Sequence, residues 1–286
     1  MPGLQILGRA QRMSGRAWER NVPGKRSTCG IHRVSGAFQN ILADHRIARL
    51  VRAVQGKMSL PSVCAIMLVD GREKMALRAA NSFMEQTYGK AWLLMFDTGK
   101  TKLKFFHLHP IIHAEAERLP SDCIGTLRNR AVEFADRADI IVHWDSDDFS
   151  HPERIAEQVE ALQGYRVTGY HSMLFWDETK RQCFRYKGAP NFLIGTSLCY
   201  WRETWKANPF PELNAGEDTA WQKGLRKHAV SSIDKEPRMI ASIHGGNTTC
   251  KVVYDLDRKT GAMRPHRPEW TRAAEWDAHC AEVMAL

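Results

Sequence analysis

No stretch of this chain is apolar for long enough to cross a bilayer. One of the longest, Phe192 to Trp201, is broken by Gly195, Thr196 and Ser197, whereas a spanning helix needs about 20 apolar residues. Cysteine is sparse and dispersed. The seven, at 29, 64, 123, 183, 199, 250 and 280, form no CxxC pair. An odd, scattered set argues against a disulfide framework or a zinc site and suits buried thiols in a reducing cytoplasm. No internal repeat is visible, which sets aside solenoids and propellers. Acidic residues are scarce at one end only. Residues 1–57 carry 11 Lys or Arg against 2 Asp or Glu, and the remaining residues carry 30 of each. The net charge of +9 therefore belongs to the N-terminal segment, and the body of the chain is electrically neutral.

That basic segment also lacks the apolar core of a secretory signal. Its spaced arginines with Gly, Ser and Pro fit a disordered arm, because such a composition buries too little surface to offset ordering entropy. They also fit a contact with nucleic acid or an anionic surface, a transit peptide, or a translation start placed too early, with Met58 opening the protein. Residues 38–55 repeat Ile41, Ile47, Leu50, Val51 and Val54 at helical spacing, so part of the segment can pack.

What is present from Val63 onward is a βα alternation. Val63 to Val69 is a continuous apolar run, as expected of a strand buried on both faces. Residues 73–86 repeat apolar positions at helical spacing, Ala91 to Phe96 reads as a second strand and Leu103 to Leu108 as a third. A helix is predicted over 122–136, then a strand Ile140 to Trp144. This order predicts a mostly parallel central sheet flanked by helices. Ser150 to Glu153 reads as a capping box with Pro152 in the first turn. The second half is mixed: a hairpin of Val167 to Trp176 with Gln182 to Tyr186, a strand Leu193 to Trp201, a helix from Gly216 to about Lys227, a strand Arg238 to His244, a loop over 255–270, and a C-terminal helix from about Glu269. The organisation expected is an extension (1–57), one α/β domain (58–265) and a C-terminal tail with its helix (266–286).

Directly after the apolar run ending at Trp144 stand Asp145-Ser146-Asp147-Asp148. Three carboxylates at the end of a buried strand occupy the edge where open α/β sheets bind ligands. Like charges so close call for a cation, and hard oxygen ligands suit Mg2+ or Mn2+. A divalent ion holding a diphosphate accounts for all of this.

The ordered series VCAIMLVDGRE, SFMEQTYGKAWLLMFDTG, IGTLRNRAVEFADRADIIVHWDSDDFSHPERI, TGY, GTSLCYWRETW, PFPELNAGED and IASIHGGNTT resembles a family 2 glycosyltransferase of the GT-A fold over roughly residues 62–250. The resemblance implies an inverting, metal-dependent transfer of a sugar from a nucleotide-sugar donor, first of all a UDP-sugar, to a glycan or other hydroxyl acceptor. It implies Mn2+ or Mg2+ at Asp145, Asp147 and Asp148, with one of these carboxylates on the ribose instead. It places Asp97 against the base or the loop supporting the base, although Thr98 stands where a second Asp is common. Asp70 and Arg72 would line the nucleotide pocket, where Leu68 replaces a common Pro. Arg128 would reach phosphate or base, or else pair with an acid such as Glu133. Asp218 would be the general base, with Glu217 beside it. Late in the chain, His244 would close the metal shell. Trp201 and Trp221 would offer a stacking floor to the acceptor, while His143 reads as a core histidine.

Two other classes stay open on sequence. A sugar nucleotidyltransferase shares the architecture and the carboxylates, but Val69-Asp70-Gly71-Arg72 is a poor phosphate loop. A nucleic-acid-binding protein working through the basic arm would lose its affinity and salt dependence on removal of residues 1–57, whereas a transferase would keep donor turnover. The leading reading implies a cytoplasmic protein, with peripheral membrane association open.

Overall fold

The computed structural model describes residues 60–285 apart from 104–108, 226–228, 236–237, 248–252 and 257–262. The basic segment and the helical spacing at 38–55 lie outside the described residues. Strand β1 (Val63–Val69) is buried at every position but Leu68, as its unbroken apolar run requires. Helix α1 (Glu73–Met84) turns Ala76, Ala79, Ala80 and Phe83 inward at helical spacing. It is followed by β2 (Ala91–Asp97) and β3 (Ile111–Glu115). The third strand therefore falls later than Leu103 to Leu108: Leu103 lies in a loop and 104–108 are outside the described residues. In β3 only Ile111 and His113 are buried while Ile112 is exposed, so an edge strand carrying an inward histidine gave little apolar signal.

Next come α2 (Ile124–Phe134), β4 (Ile140–His143), the two-residue β5 (Phe149–Ser150) and α3 (Arg154–Ala161). The capping box is not formed. Ser150 belongs to β5, and its hydroxyl accepts from the buried Arg154 guanidinium at 2.8 Å rather than from a helix N–H. The run expected as one strand over 167–176 splits at His171 into β6 (Val167–Tyr170) and β7 (Ser172–Asp177), which join different sheets. All ten of these strand residues are buried, as is His171 between them, so no exposed residue marks the change of sheet. Strand β8 (Gln182–Lys187) pairs with β7 as expected. A 3-10 turn, Gly195–Ser197, interrupts the strand predicted over 193–201, leaving β9 (Cys199–Trp201).

The chain continues with α4 (Arg202–Ala207), α5 (Glu217–Lys223), β10 (Val230–Ile233), β11 (Met239–Ile243), β12 (Tyr254–Leu256), β13 (Met263–Pro265), β14 (Trp270–Arg272) and α6 (Asp277–Val283). The region read as a loop over 255–270 thus contains short strands, too short to show an alternation, and the last helix starts later than Glu269.

The central sheet has the order β10-β6-β9-β4-β1-β2-β3. Only β9 runs antiparallel, between β4 and β6; the other pairs are parallel. This is the mixed α/β, parallel-rich sheet with flanking helices that the βα alternation predicts. A second, mixed sheet has the order β14-β8-β7-β11-β5. It packs its own core around Tyr170, Phe175, Phe184 and Met239. Among the described residues, no helix is long and apolar enough to cross a membrane.

Candidate active site

The strand β4 delivers its three acids to the C-terminal edge of the parallel sheet, where carboxylate oxygens of Asp145, Asp147 and Asp148 lie within 4.8 Å of one another. Their surroundings differ. Asp145 is part-exposed and stands 3.8 Å from Arg128 Nη2. Asp147 accepts from Arg72 Nη1 at 3.2 Å and from Asn247 Nδ2 at 3.4 Å, and its Oδ2 meets His244 Nε2 at 2.9 Å. Asp148 is buried and has both oxygens engaged, by the Thr196 hydroxyl at 2.7 Å and the Ser242 N–H at 3.1 Å. Arg72 reaches Asp147 because Gly71 and Arg72 both adopt left-handed backbone, φ 69° and 55°. That conformation costs a non-glycine residue about 1 kcal/mol or more.

These side chains fit a divalent ion. The donor set of hard oxygens with one imidazole suits Mn2+ or Mg2+. The 2.9 Å between His244 Nε2 and Asp147 Oδ2 brings both groups within reach of one ion. In this state His244 Nδ1 accepts from the Gly246 N–H at 3.0 Å, so its Nε2 proton points to Asp147. A cation between them would replace that proton and need the other tautomer.

Asp97 ends β2, fully buried, and its carboxylate is used by its own surroundings. Oδ1 accepts from the Gly99 N–H at 2.9 Å; Oδ2 accepts from the Leu103 N–H at 2.8 Å and meets His113 Nε2 at 3.1 Å. Lys102 ties the same loop to the Asp97 and Ala116 carbonyls. Asp97 thus shapes the 98–103 loop, which walls a cavity of about 1130 Å³ together with Asp70, Gly71 and the 115–120 segment. Asp70 stands at this cavity in an ion pair with Arg118 at 2.6 Å.

A cleft of about 280 Å³ runs from the aspartates to the start of α5 and is lined by Arg72, Arg128, Glu217 and Asp218. Arg128, buried on α2, donates from Nε to Glu217 Oε1 at 3.0 Å, and Glu133 is not its partner. Burial opposes its charge, but Asp145 and Glu217 outweigh that and raise its pKa. Asp218 is half-buried at the first turn of α5, and its Oδ1 accepts from the adjacent Thr219 N–H. Gly195 lies against it so closely that a Cβ there would sit 1.5 Å from Asp218 Oδ2. The Gly195 carbonyl accepts from His143 Nδ1 at 2.9 Å. Burial, aided by Arg128 and Arg154, holds the His143 pKa well below the ordinary histidine value, so the ring is the neutral core histidine expected.

Two expectations are corrected. Trp221 is 1% exposed and stacks on Phe210 at 4.8 Å, so its indole lies in the core although it stands only three residues after Asp218. Trp201 pairs with Ile140, at the end of β4 far from the aspartates, since β9 runs antiparallel, and its indole donates to the Tyr165 carbonyl. Neither tryptophan lines the cleft. Sequence reasoning missed Thr196 and Ser242, neutral residues whose role is visible only once their segments meet Asp148.

No protein family and no curated protein matches the chain. Among solved structures, S. aureus TarS 1-349 is similar at 15% identity with a TM-score of 0.46, over 63% of this chain and 60% of that one. The mannosyltransferase PcManGT from Pyrobaculum calidifontis, in complex with GDP-Man and Mn2+, is similar at 16% identity and a TM-score of 0.48, over 72% of this chain and 67% of that one. GalNAc-T7 with UDP, GalNAc and Mn2+ is similar at 12% identity and a TM-score of 0.47, over 65% and 44%. The chain spans about 60% of the length of the TarS 1-349 structure it matches.

Proposed function

We propose that the chain is a metal-dependent, inverting glycosyltransferase of the GT-A type that moves a sugar from a nucleotide-sugar donor to an acceptor hydroxyl. The observation carrying this reading is one arrangement at the sheet edge. Three clustered aspartates line one cleft together with Arg72, Arg128, Glu217 and Asp218, and Asp70, two residues before Arg72, lines a larger cavity.

In this reading the nucleoside occupies the 1130 Å³ cavity beside Asp70 and the loop shaped by Asp97. Asp145 and Asp147, with His244, would hold Mn2+ or Mg2+, and Asp148 holds the turn from behind. Bound there, the ion supplies Lewis acidity to the departing diphosphate. The acceptor hydroxyl enters the 280 Å³ cleft, and Asp218 takes its proton as it attacks. One displacement on the face opposite the leaving group inverts the anomeric centre. Arg128 engages Glu217 in an ion pair, which leaves Asp218 as the base. Negative charge from Asp218 and Asp145 also favours an oxocarbenium-like transition state.

A hydrolysis screen of UDP-, GDP- and dTDP-sugars with Mn2+ tests the reading, comparing the wild type with Asp147→Ala and Asp218→Asn. The expectation is turnover of one donor, with a UDP-sugar the first to try, lost on chelation and in both variants. Metal-independent turnover untouched by either change would refute it. Thermal stabilisation by one nucleoside diphosphate together with metal is the first measurement to make.

A further inference from the structure

Arg78, on α1, is a buried cation whose guanidinium spans two backbone carbonyls. Nη2 donates to the Asp147 carbonyl at 2.8 Å and lies 3.4 Å from Glu178 Oε1; Nη1 donates to the carbonyl of Met284, just past α6. Glu178 accepts from the Ser242 hydroxyl at 2.6 Å, and the Ser242 N–H in turn donates to Asp148. One side chain thereby joins the C-terminal residues to the turn that carries the aspartates. Fixing the Asp147 carbonyl fixes the plane of the peptide between Asp147 and Asp148, and with it the directions in which both carboxylates leave the backbone.

The helix α6 is held down by contacts of its own. Asp277 accepts from the Cys183 N–H at 2.7 Å and pairs with Arg272. The Cys280 thiol sits 3.4 Å from that of Cys183, both fully buried. A planar guanidinium fork can bridge two carbonyls in fixed directions, which a lysine ammonium cannot do.

We infer that Arg78 is a positioning residue for the Asp145–Asp148 turn, and that α6 belongs to the site because it fixes Arg78 in place. This rests on the proposed metal-dependent reaction at those aspartates. Groups behind metal ligands of this kind change metal affinity when removed, typically about 10–100-fold.

The test uses the full chain carrying Arg78→Gln, Arg78→Lys, Asp277→Ala, or Arg78→Gln with Asp277→Ala. Two quantities are read: the Mn2+ Kd by electron paramagnetic resonance titration, and metal-free hydrogen exchange of the peptide spanning residues 144–150. Arg78→Gln is expected to weaken Mn2+ binding about 10–100-fold and to speed exchange at the turn. Arg78→Lys, which keeps the charge but not the fork, falls between it and the wild type, and it carries the test where the Gln variant does not fold. Asp277→Ala loosens α6 and acts in the same direction. The double variant is no worse than Arg78→Gln, because both changes break one bridge. An Mn2+ Kd within about twofold of the wild type, with unchanged exchange in Arg78→Gln, overturns the inference, as do fully additive losses in the double variant. If the wild type takes up no Mn2+, the metal reading fails, and the exchange data still decide whether Arg78 and α6 hold the turn.

Discussion

Adding one methyl group at Gly195 should disable the proposed base while leaving the donor side intact. The ideal Cβ of an alanine there falls 1.5 Å from Asp218 Oδ2, 2.5 Å from its Cγ and 3.0 Å from its Cβ. Ordinary contact begins near 3.5 Å, so the carboxylate must retreat by about 2 Å. The glycine cannot give way instead, because its carbonyl is held by the buried His143 ring at 2.9 Å and by the Leu198 N–H at 3.3 Å. Misplacing a reacting group by about 1 Å can cost a factor of about 100. Gly195→Ala should therefore lower kcat at least about 100-fold. Donor KM and Mn2+ affinity should stay near wild type, since neither Asp147 nor the large cavity touches Gly195. Stability should change little, as Asp218 is half-exposed and can swing toward solvent. The assay is steady-state transfer with donor and acceptor varied separately, beside a thermal melt. A folded Gly195→Ala protein with wild-type kcat would mean that Asp218 is not the base, or does not work from this position.

Other consequences are more compact. Arg128→Met strands the buried Glu217 carboxylate and should cost about 3–5 kcal/mol; Arg128→Met with Glu217→Gln should recover much of that in denaturant titrations. His244→Ala should weaken Mn2+ binding while leaving the metal-free melting temperature unchanged, read by titration and melt together. Burial lowers the pKa of His143 well below the ordinary value and that of His151 to about 3. The unfolded chain therefore takes protons that the folded one refuses, and stability should be full above about pH 6.5 and fall as the pH drops below it. His151→Gln should flatten part of that slope, and a slope unchanged by it would remove His151 as a cause.

How far the sequence reaches depends on whether a residue's neighbours are local. The strands β1 and β4 are legible because burial on both faces leaves an unbroken apolar run, and the three aspartates are legible because so many acids seldom follow such a strand. The break at His171 is not, since the residues on either side are buried alike, one strand in each sheet, and no exposed position separates them. The partners of the aspartates are still less so. Thr196 meets Asp148 across 48 positions, Arg78 meets the Asp147 carbonyl across 69 and Ser242 meets Asp148 across 94. A threonine, an arginine and a serine carry no mark of such a meeting. Trp221 misled for a related reason: it lies only about 60° round the helix from Asp218, and what takes its ring into the core is its packing on Tyr200 and Phe210, far from it in sequence.

The three aspartates can be separated by what the remaining atoms at each position can still do. Asp148 receives two donors, the Ser242 N–H on one oxygen and the Thr196 hydroxyl on the other. An asparagine can satisfy both: its oxygen accepts from Ser242, and its amide donates to the threonine oxygen once the hydroxyl rotates. An alanine satisfies neither and deprives the buried Ser242 N–H and the half-buried Thr196 hydroxyl of that acceptor, at about 1–3 kcal/mol, or roughly 2–12 °C in Tm. If Asp148 serves the turn, Asp148→Asn should keep both stability and Mn2+ affinity while Asp148→Ala loses stability first. Asp147→Asn should behave in the opposite way, keeping the fold and losing the ion, because the charge facing Arg72 and His244 is what a cation would use. Loss of Mn2+ binding in a fully stable Asp148→Asn protein would show instead that its charge is a ligand's, and that the hydrogen bonds from Thr196 and Ser242 aim it at the ion.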